Sequence, residues 1–315
     1  MASDAPILAA MRMALVIAMV LSAACKAPEG VAPDGASPPD ATPDGAIAPG
    51  YQLLISRSWT MAANDQGYKC IRAQVPTDMW ISAFRSLSPA GTHHSVLTIS
   101  QSATTTGEYD CNSGSLDAQM LYAAGVQTDD NELPAGVAIH LAAGTYINLN
   151  LHLYNTSDNP VTATSGVLVK TVPQAEVMHE ADMQFSGVIN FSVPANAAGD
   201  TTTTHEVSGH CFAAHDFHLF TLWPHMHQIA VHQKFTLNGS ALLDSDYAFD
   251  EQKNYQMADT VVHAGDKLET TCTYRNTTGS AVPYGESSTD EMCFTGIYRY
   301  PAGGNLLACA LGQPI

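Results

Sequence analysis

Thr145-Tyr146-Ile147-Asn148-Leu149-Asn150-Leu151-His152-Leu153-Tyr154 alternates apolar and polar residues along its length, until Asn155-Thr156-Ser157-Asp158-Asn159-Pro160 turns the chain. A strand sends successive side chains to opposite faces. Ile147, Leu149, Leu151 and Leu153 therefore point into a core, and Asn148, Asn150, His152 and Tyr154 share the other face.

Outward from this strand the pattern continues as short apolar runs bounded by turn residues, in Met79-Trp80-Ile81-Ser82-Ala83-Phe84, in Ser95-Val96-Leu97-Thr98-Ile99 and from Ser165 to Val172. Charged residues are only 13% of the chain, while Gly, Ser, Thr, Asn and aromatics are plentiful, which favours many short strands over helix. No internal repeat and no long amphipathic helix is visible. An all-β chain is expected. Its 315 residues exceed what one small core organises, which predicts two domains of roughly 120 to 130 residues each. Pro173-Gln174-Ala175 marks the junction, giving segments 51–175 and 176–315, with a second run of strands from near Met183.

Residues 1–25 read as an export signal, with Arg12, the apolar run Met13 to Leu21, and small Ser22-Ala23-Ala24 ahead of Cys25. Met11 serves equally well as the start, since Ala2 to Ala10 adds nothing a signal needs. The apolar run is too short to span a bilayer as a mature helix. It resembles a bacterial lipoprotein signal, whose cleavage leaves an acylated Cys25, although Leu21 stands four residues before the cysteine where three is usual. Cleavage near Ala24 without acylation is the alternative. Residues 26–50 repeat Pro, Ala, Asp and Gly with almost no large apolar residue and form a disordered tether. The expected place is the bacterial cell envelope, with membrane attachment only through lipid at Cys25.

A formal charge of -18 with only 12 Lys and Arg leaves no basic patch for nucleic acid or anionic lipid. The acidity is read as a solubility feature. Beyond Cys25, the even set Cys70, Cys111, Cys211, Cys272, Cys293 and Cys309 predicts three disulfides in an exported chain, and spacing alone leaves 15 pairings open. No Cys-x-x-Cys occurs, so thiolate zinc clusters and thioredoxin chemistry lack support.

Chemistry concentrates at the histidines. Leu222-Trp223-Pro224-His225-Met226-His227-Gln228 sets two imidazoles on one face of a strand-like segment and turns Met226 to the core. Such a pair is half a metal site, and neutral imidazole suits copper, zinc, iron and nickel alike. Upstream, Thr92-His93-His94 follows Pro89-Ala90-Gly91. Neighbours in a flat strand point to opposite faces, so His93 and His94 can share a metal only where the backbone bends. Downstream lies Asp290-Glu291-Met292-Cys293. A thioether selects Cu(I) over harder ions, although a lone methionine is more often core filler. His140, His179, His205, His210, His215, His232 and His263 are read as surface or satisfied histidines.

In this order, His93-His94, His152, His225-x-His227 and Asp290-Glu291-Met292-Cys293 resemble the type II, ascorbate-dependent copper monooxygenases, the family of dopamine β-monooxygenase and peptidylglycine α-hydroxylating monooxygenase. The resemblance covers about residues 60 to 310 and extends to Tyr68-Lys69-Cys70, Val172-Pro173-Gln174, His218 seven residues before His225, and Thr271-Cys272-Thr273-Tyr274. It implies two tandem antiparallel β-sandwiches, jelly-roll-like, facing each other across a solvent-filled cleft. His93, His94 and His152 match the copper that stores and passes an electron; His225, His227 and Met292 match the copper that binds dioxygen. His218 matches a family histidine that is not a ligand, which implies a supporting role near the dioxygen copper. The implied disulfides are Cys70–Cys111, Cys211–Cys309 and Cys272–Cys293, the last bracing Met292. The implied reaction is hydroxylation of a C–H bond with dioxygen and ascorbate or another one-electron donor, without a side-chain acid and base pair. A copper-binding, electron-carrying lipoprotein without turnover is the alternative, and a zinc-binding adhesin the weaker third.

The sequence departs from the peptide-amidating branch of that family where the branch binds a terminal carboxylate. In place of its arginine, asparagine and tyrosine stand Trp223, Phe294 and Gly296. An arginine–carboxylate contact is charge-assisted and tryptophan cannot replace it. The expected substrate is a small neutral or amine-bearing molecule with a flat apolar group. Cys272-Thr273-Tyr274 also looks nearer the dopamine branch.

Overall fold

The structure, a computed structural model, describes residues 47–100, 105–112, 119–125, 130–249, 251–303 and 306–315. The signal segment, Cys25 and residues 26–46 of the tether lie outside the described residues.

The first half supplies β1 (Gln52–Met61), β2 (Asp65–Gln74), β3 (Met79–Leu87), β4 (Thr92–Ser100), β5 (Gly107–Tyr109), β6 (Gln119–Gly125), β7 (Asn131–Glu132), β8 (Val137–Leu141), β9 (Tyr146–Asn155) and β10 (Val161–Val172). A 3-10 turn at Gln174–Glu176 overlaps the expected junction. The second half supplies β11 (His179–Glu180), β12 (Asp182–Val188), β13 (Ser192–Val193), β14 (His205–Phe212), β15 (Phe217–His225), β16 (Ala230–Leu237), β17 (Ser240–Asp246), β18 (Tyr255–Val262), β19 (Lys267–Tyr274), β20 (Val282–Pro283) and β21 (Cys293–Tyr300). The fold is all-β, and no α-helix occurs among the described residues.

Each half stacks two antiparallel sheets. In the first they run β1-β10-β3-β8-β11, with β7 on β3, and β5-β2-β9-β4-β6; in the second, β12-β21-β15-β18 and β14-β19-β16-β17. One strand crosses the junction: β11 pairs parallel with β8. The halves also share a core, in which Met183, Phe185, Phe220, Trp223, Phe294 and Tyr298 join Ile81, Phe84, Leu121 and Tyr122. Contacts group the described residues, from 47 to 315, as a single unit. Disulfides join Cys70 to Cys111, Cys211 to Cys309 and Cys272 to Cys293.

The alternation that opened the sequence is realised in β9, where Ile147, Leu149, Leu151 and Leu153 are at most 1% exposed. Its polar face is buried as well, except for Tyr154. The reason is cover from neighbours: the Tyr109 hydroxyl donates to Asn148, and Asn150 donates to the Asn112 carbonyl at 3.1 Å. That face is the floor of a site rather than a solvent surface.

The approach to β4 depends on Gly91, at φ +94° with Trp59 so close that a Cβ would lie 2.8 Å from its ring. Gly91→Ala is expected to destabilise the fold by about 2 kcal/mol, from backbone strain and the ring contact together. A denaturant midpoint equal to that of the parent protein would show that the turn tolerates a side chain.

Candidate metal centre

Pairing between β4 and β9 jumps from Thr92 opposite Leu153 to His94 opposite His152, so His93 is the extra residue of a β-bulge. The bulge supplies the bend that adjacent histidines need. One ligand nitrogen from each of His93, His94 and His152 lies within 4.8 Å of the others. Tyr68, the register neighbour of His152 on β2, stacks flat on it at 4.5 Å. Burial drives the His152 pKa down to about 4, helped by His93, and holds His94 well below its usual value. Neutral rings keep a lone pair for a metal. The buried Nδ1 of His152 finds no hydrogen-bond partner among the described residues, a costly state that a metal ion would relieve.

On β15 the side chains of Thr221, Trp223 and His225 fall on one face by alternation, and Thr221 donates to Asn131 of the first half at 3.1 Å. His225 ends the strand and His227 lies just beyond it. Their rings stand edge to face at 5.3 Å, with Met226 fully buried between them in sequence. His225 donates Nδ1–H to the Gln252 Oε1 at 3.1 Å, and His227 donates Nδ1–H to the Asp290 carbonyl at 3.2 Å. Each bond fixes the tautomer in which the Nε2 lone pair can face a metal. Burial lowers both pKa values, that of His225 to about 3.

Met292 is held by its backbone. Its carbonyl accepts the Tyr274 hydroxyl at 2.7 Å, and the next residue, Cys293, is tied to Cys272. Glu291, fully buried, accepts the backbone N–H groups of His227 and Ile229, each at 2.9 Å. This carboxylate fastens the His-x-His turn to the Met292 segment. Burial pushes its pKa up to about 7 against the opposing pull of those N–H groups.

The two histidine sets meet. His94 and His225 rings stand 6.2 Å apart, and Phe249 lies 4.2 Å from His93 and 6.2 Å from His227. The cleft expected between the halves takes the form of a cavity of about 310 Å³, onto which His94, His152, His225, His227 and Met292 all open. Its other walls are largely apolar, with Phe185, Trp223 and Phe294 prominent, and Glu286 is the one charged residue among the described lining.

Residues 186–312 match a family described as copper type II ascorbate-dependent monooxygenase, C-terminal domain. The match falls within the second half. No curated protein matches the chain. Among solved structures it is similar to PNGase F, a glycosylasparaginase from Flavobacterium meningosepticum, at 9% identity over 78% of this chain and 89% of that one with a TM-score of 0.26. It is also similar to latent PorU from Porphyromonas gingivalis, at 7% identity over 75% of this chain and 24% of that one with a TM-score of 0.20.

In the second half His218 departs from its expected place. It lies seven residues from His225 along β15, about 23 Å at the rise of a strand, where it stacks on Tyr300 and donates to Asp259 at 2.9 Å. A supporting role beside His225 is thereby excluded. His140 stacks on Trp80 and His263 pairs with Asp216, while His232 pairs with Asp244 through Nε2 and leaves its buried Nδ1 without a partner among the described residues. Sequence reasoning missed Gln252 and Phe249. They come from the loop after β17, whose backbone bonds to the first half through Gly125 N–H and the Gln252 carbonyl at 3.0 Å, and nothing in their local sequence signals it.

Proposed function

We propose that the chain is a copper-dependent monooxygenase that hydroxylates a C–H bond of a small organic substrate, with dioxygen and ascorbate or a similar one-electron donor as co-substrates. The observation that carries this reading is the shared cavity: His94 and His152 of the three-histidine set, and a pair of imidazoles with a thioether, open onto one largely apolar space. The donors suit copper, the thioether favouring Cu(I). His93, His94 and His152 would hold one ion, and His225, His227 and Met292 the other. Bound copper would supply electron storage and dioxygen activation. The protein does the rest with its own groups. Gln252 and Asp290 orient the imidazoles of the second set, while Phe185, Trp223 and Phe294 exclude water and receive an apolar group.

The walls also select. Trp223 and Phe294 line the cavity, and Gly296 lies beneath the indole, with its missing Cβ 3.3 Å from that of Trp223. Among the described lining no Lys or Arg is present to bind a carboxylate. Small neutral or amine-bearing molecules therefore fit, and glycine-extended peptides do not. The three disulfides agree with an oxidising, exported compartment. Acylation at Cys25 belongs to the same proposal.

The test is copper content followed by ascorbate-driven oxygen uptake over a metabolite panel, read as mass gain of one oxygen. Two coppers per chain with substrate-stimulated uptake is the expected result. Copper binding without any stimulated uptake would make the chain an electron carrier instead, and saturable hydroxylation of a glycine-extended peptide would overturn the substrate class.

A further inference from the structure

Trp223 stacks on His225, ring centroids 4.8 Å apart and nearly parallel at 15°, and is 1% exposed. The indole is one end of an aromatic file. Trp223 pairs with Gly296 and Thr221 with Tyr298, so Trp223 and Tyr298 share a face as diagonal neighbours across β15 and β21. Tyr300 is two residues further along β21. Phe220 bridges the two tyrosines, at 6.2 Å from Tyr298 and 6.1 Å from Tyr300. From Gly296 to Tyr300 the file covers about 13 Å of strand. At the outer end Tyr300 is flanked by stacked His218 and His179, and its hydroxyl donates at 2.9 Å to Asp259, an exposed carboxylate.

We propose that this file is a hole-escape relay, by which Trp223 and Tyr300 carry an unused oxidising equivalent away from His225 and Met292 to the protein surface. Indole and phenol are the side chains that give up one electron most readily apart from thiols and thioethers. An oxidant formed beside Met292 without a substrate in place would otherwise consume the thioether or the imidazole. In the relay, Trp223 loses one electron to that oxidant and becomes a radical cation. Tyr300 restores it with one electron passed across Tyr298 and Phe220, and its phenolic proton moves to Asp259. The neutral tyrosyl radical is then reduced by one electron from ascorbate or another outer one-electron donor and takes the proton back. One electron has passed from that donor to the oxidant.

The relay rests on the proposed copper at His225, so its test uses copper-loaded full chain and hydrogen peroxide, which needs no hydroxylase turnover. Freeze-quenched samples of the wild type are expected to show a tyrosyl radical by electron paramagnetic resonance. Tyr300→Phe, which keeps the ring stack, loses that signal and accumulates oxidised His225 and Met292 in peptide mass spectra. Trp223→Phe does the same. An undiminished tyrosyl signal in Tyr300→Phe, or site oxidation no greater in either variant than in wild type, overturns the relay. Oxygen uptake with candidate substrates decides the hydroxylase reading separately, because peroxide oxidation proceeds in an electron carrier as well.

Discussion

Met292→Ala is expected to abolish the proposed hydroxylation, lowering kcat/KM by about a thousandfold or more, which corresponds to about 4 kcal/mol of transition-state stabilisation, and to leave the copper proposed at His93, His94 and His152 in place. The expectation follows from how Met292 is mounted. Its backbone is fixed on both sides, by the Tyr274 hydroxyl on its carbonyl and by the Cys272–Cys293 disulfide. Truncating the side chain therefore removes a ligand and leaves the loop in place. Met292 is half-buried, so the stability loss stays near the low end for a truncated methionine, about 2 kcal/mol. Met292→His separates occupancy from softness: a third imidazole retains copper yet no longer favours the reduced ion, and hydroxylation is lost there too. X-ray absorption of the reduced protein should lose its sulfur scatterer in both variants. Turnover like that of the wild type in Met292→Ala would remove this residue from the site.

Much of the fold is legible because its signals are local. Strict alternation in β9 needs only its own residues to be read, and the short apolar runs at Met79, Ser95 and Ser165 became β3, β4 and β10. The requirement for a bend at His93-His94 was legible as well, since two adjacent side chains cannot share a face of a flat strand, and the register jump at His93 supplies it. Other features depend on what the chain brings together from far apart. The burial of the polar face of β9 depends on Tyr109 and Asn112, which cover it from other strands and loops. Gln252 reaches His225 across 27 residues and Phe249 reaches His93 from the other half, contacts that no periodicity encodes. The choice among 15 disulfide pairings, and of Met292 among 12 methionines, came from family resemblance and not from spacing. His218 shows the opposite failure. A motif position carried over by count alone put it near His225, whereas the rise of β15 carries it to the far end of the strand.

Glu291 offers the second large effect, because one carboxylate holds two parts of the site. Both of its oxygens accept backbone N–H groups, Oε2 from His227 and Oε1 from Ile229. An amide presents one acceptor and one donor, so in Glu291→Gln one backbone N–H faces another donor. Leaving a buried donor unsatisfied costs about 1–3 kcal/mol, which sets the expected loss for that variant. Glu291→Ala orphans these donors together with the Met292 N–H, which lies 3.3 Å from Oε2, and opens a cavity, and is expected to lose more, about 3–5 kcal/mol. The functional consequence is local. His227 keeps its imidazole but loses the anchor of its backbone, and disturbing such a supporting partner weakens metal binding by about 10–100-fold. Competition titration with a Cu(I) chelator should therefore show one weakened copper in Glu291→Gln, beside an unchanged one at His93, His94 and His152. The three-histidine site is the internal control, since it lies on β4 and β9 and shares no hydrogen bond with Glu291 among those described. If Glu291→Gln unfolds at the same denaturant concentration as the parent and binds both coppers equally well, the carboxylate is a bystander and the His-x-His turn is held without it, by the Asp290 carbonyl, by the Tyr247 hydroxyl on the Met226 backbone and by the disulfide.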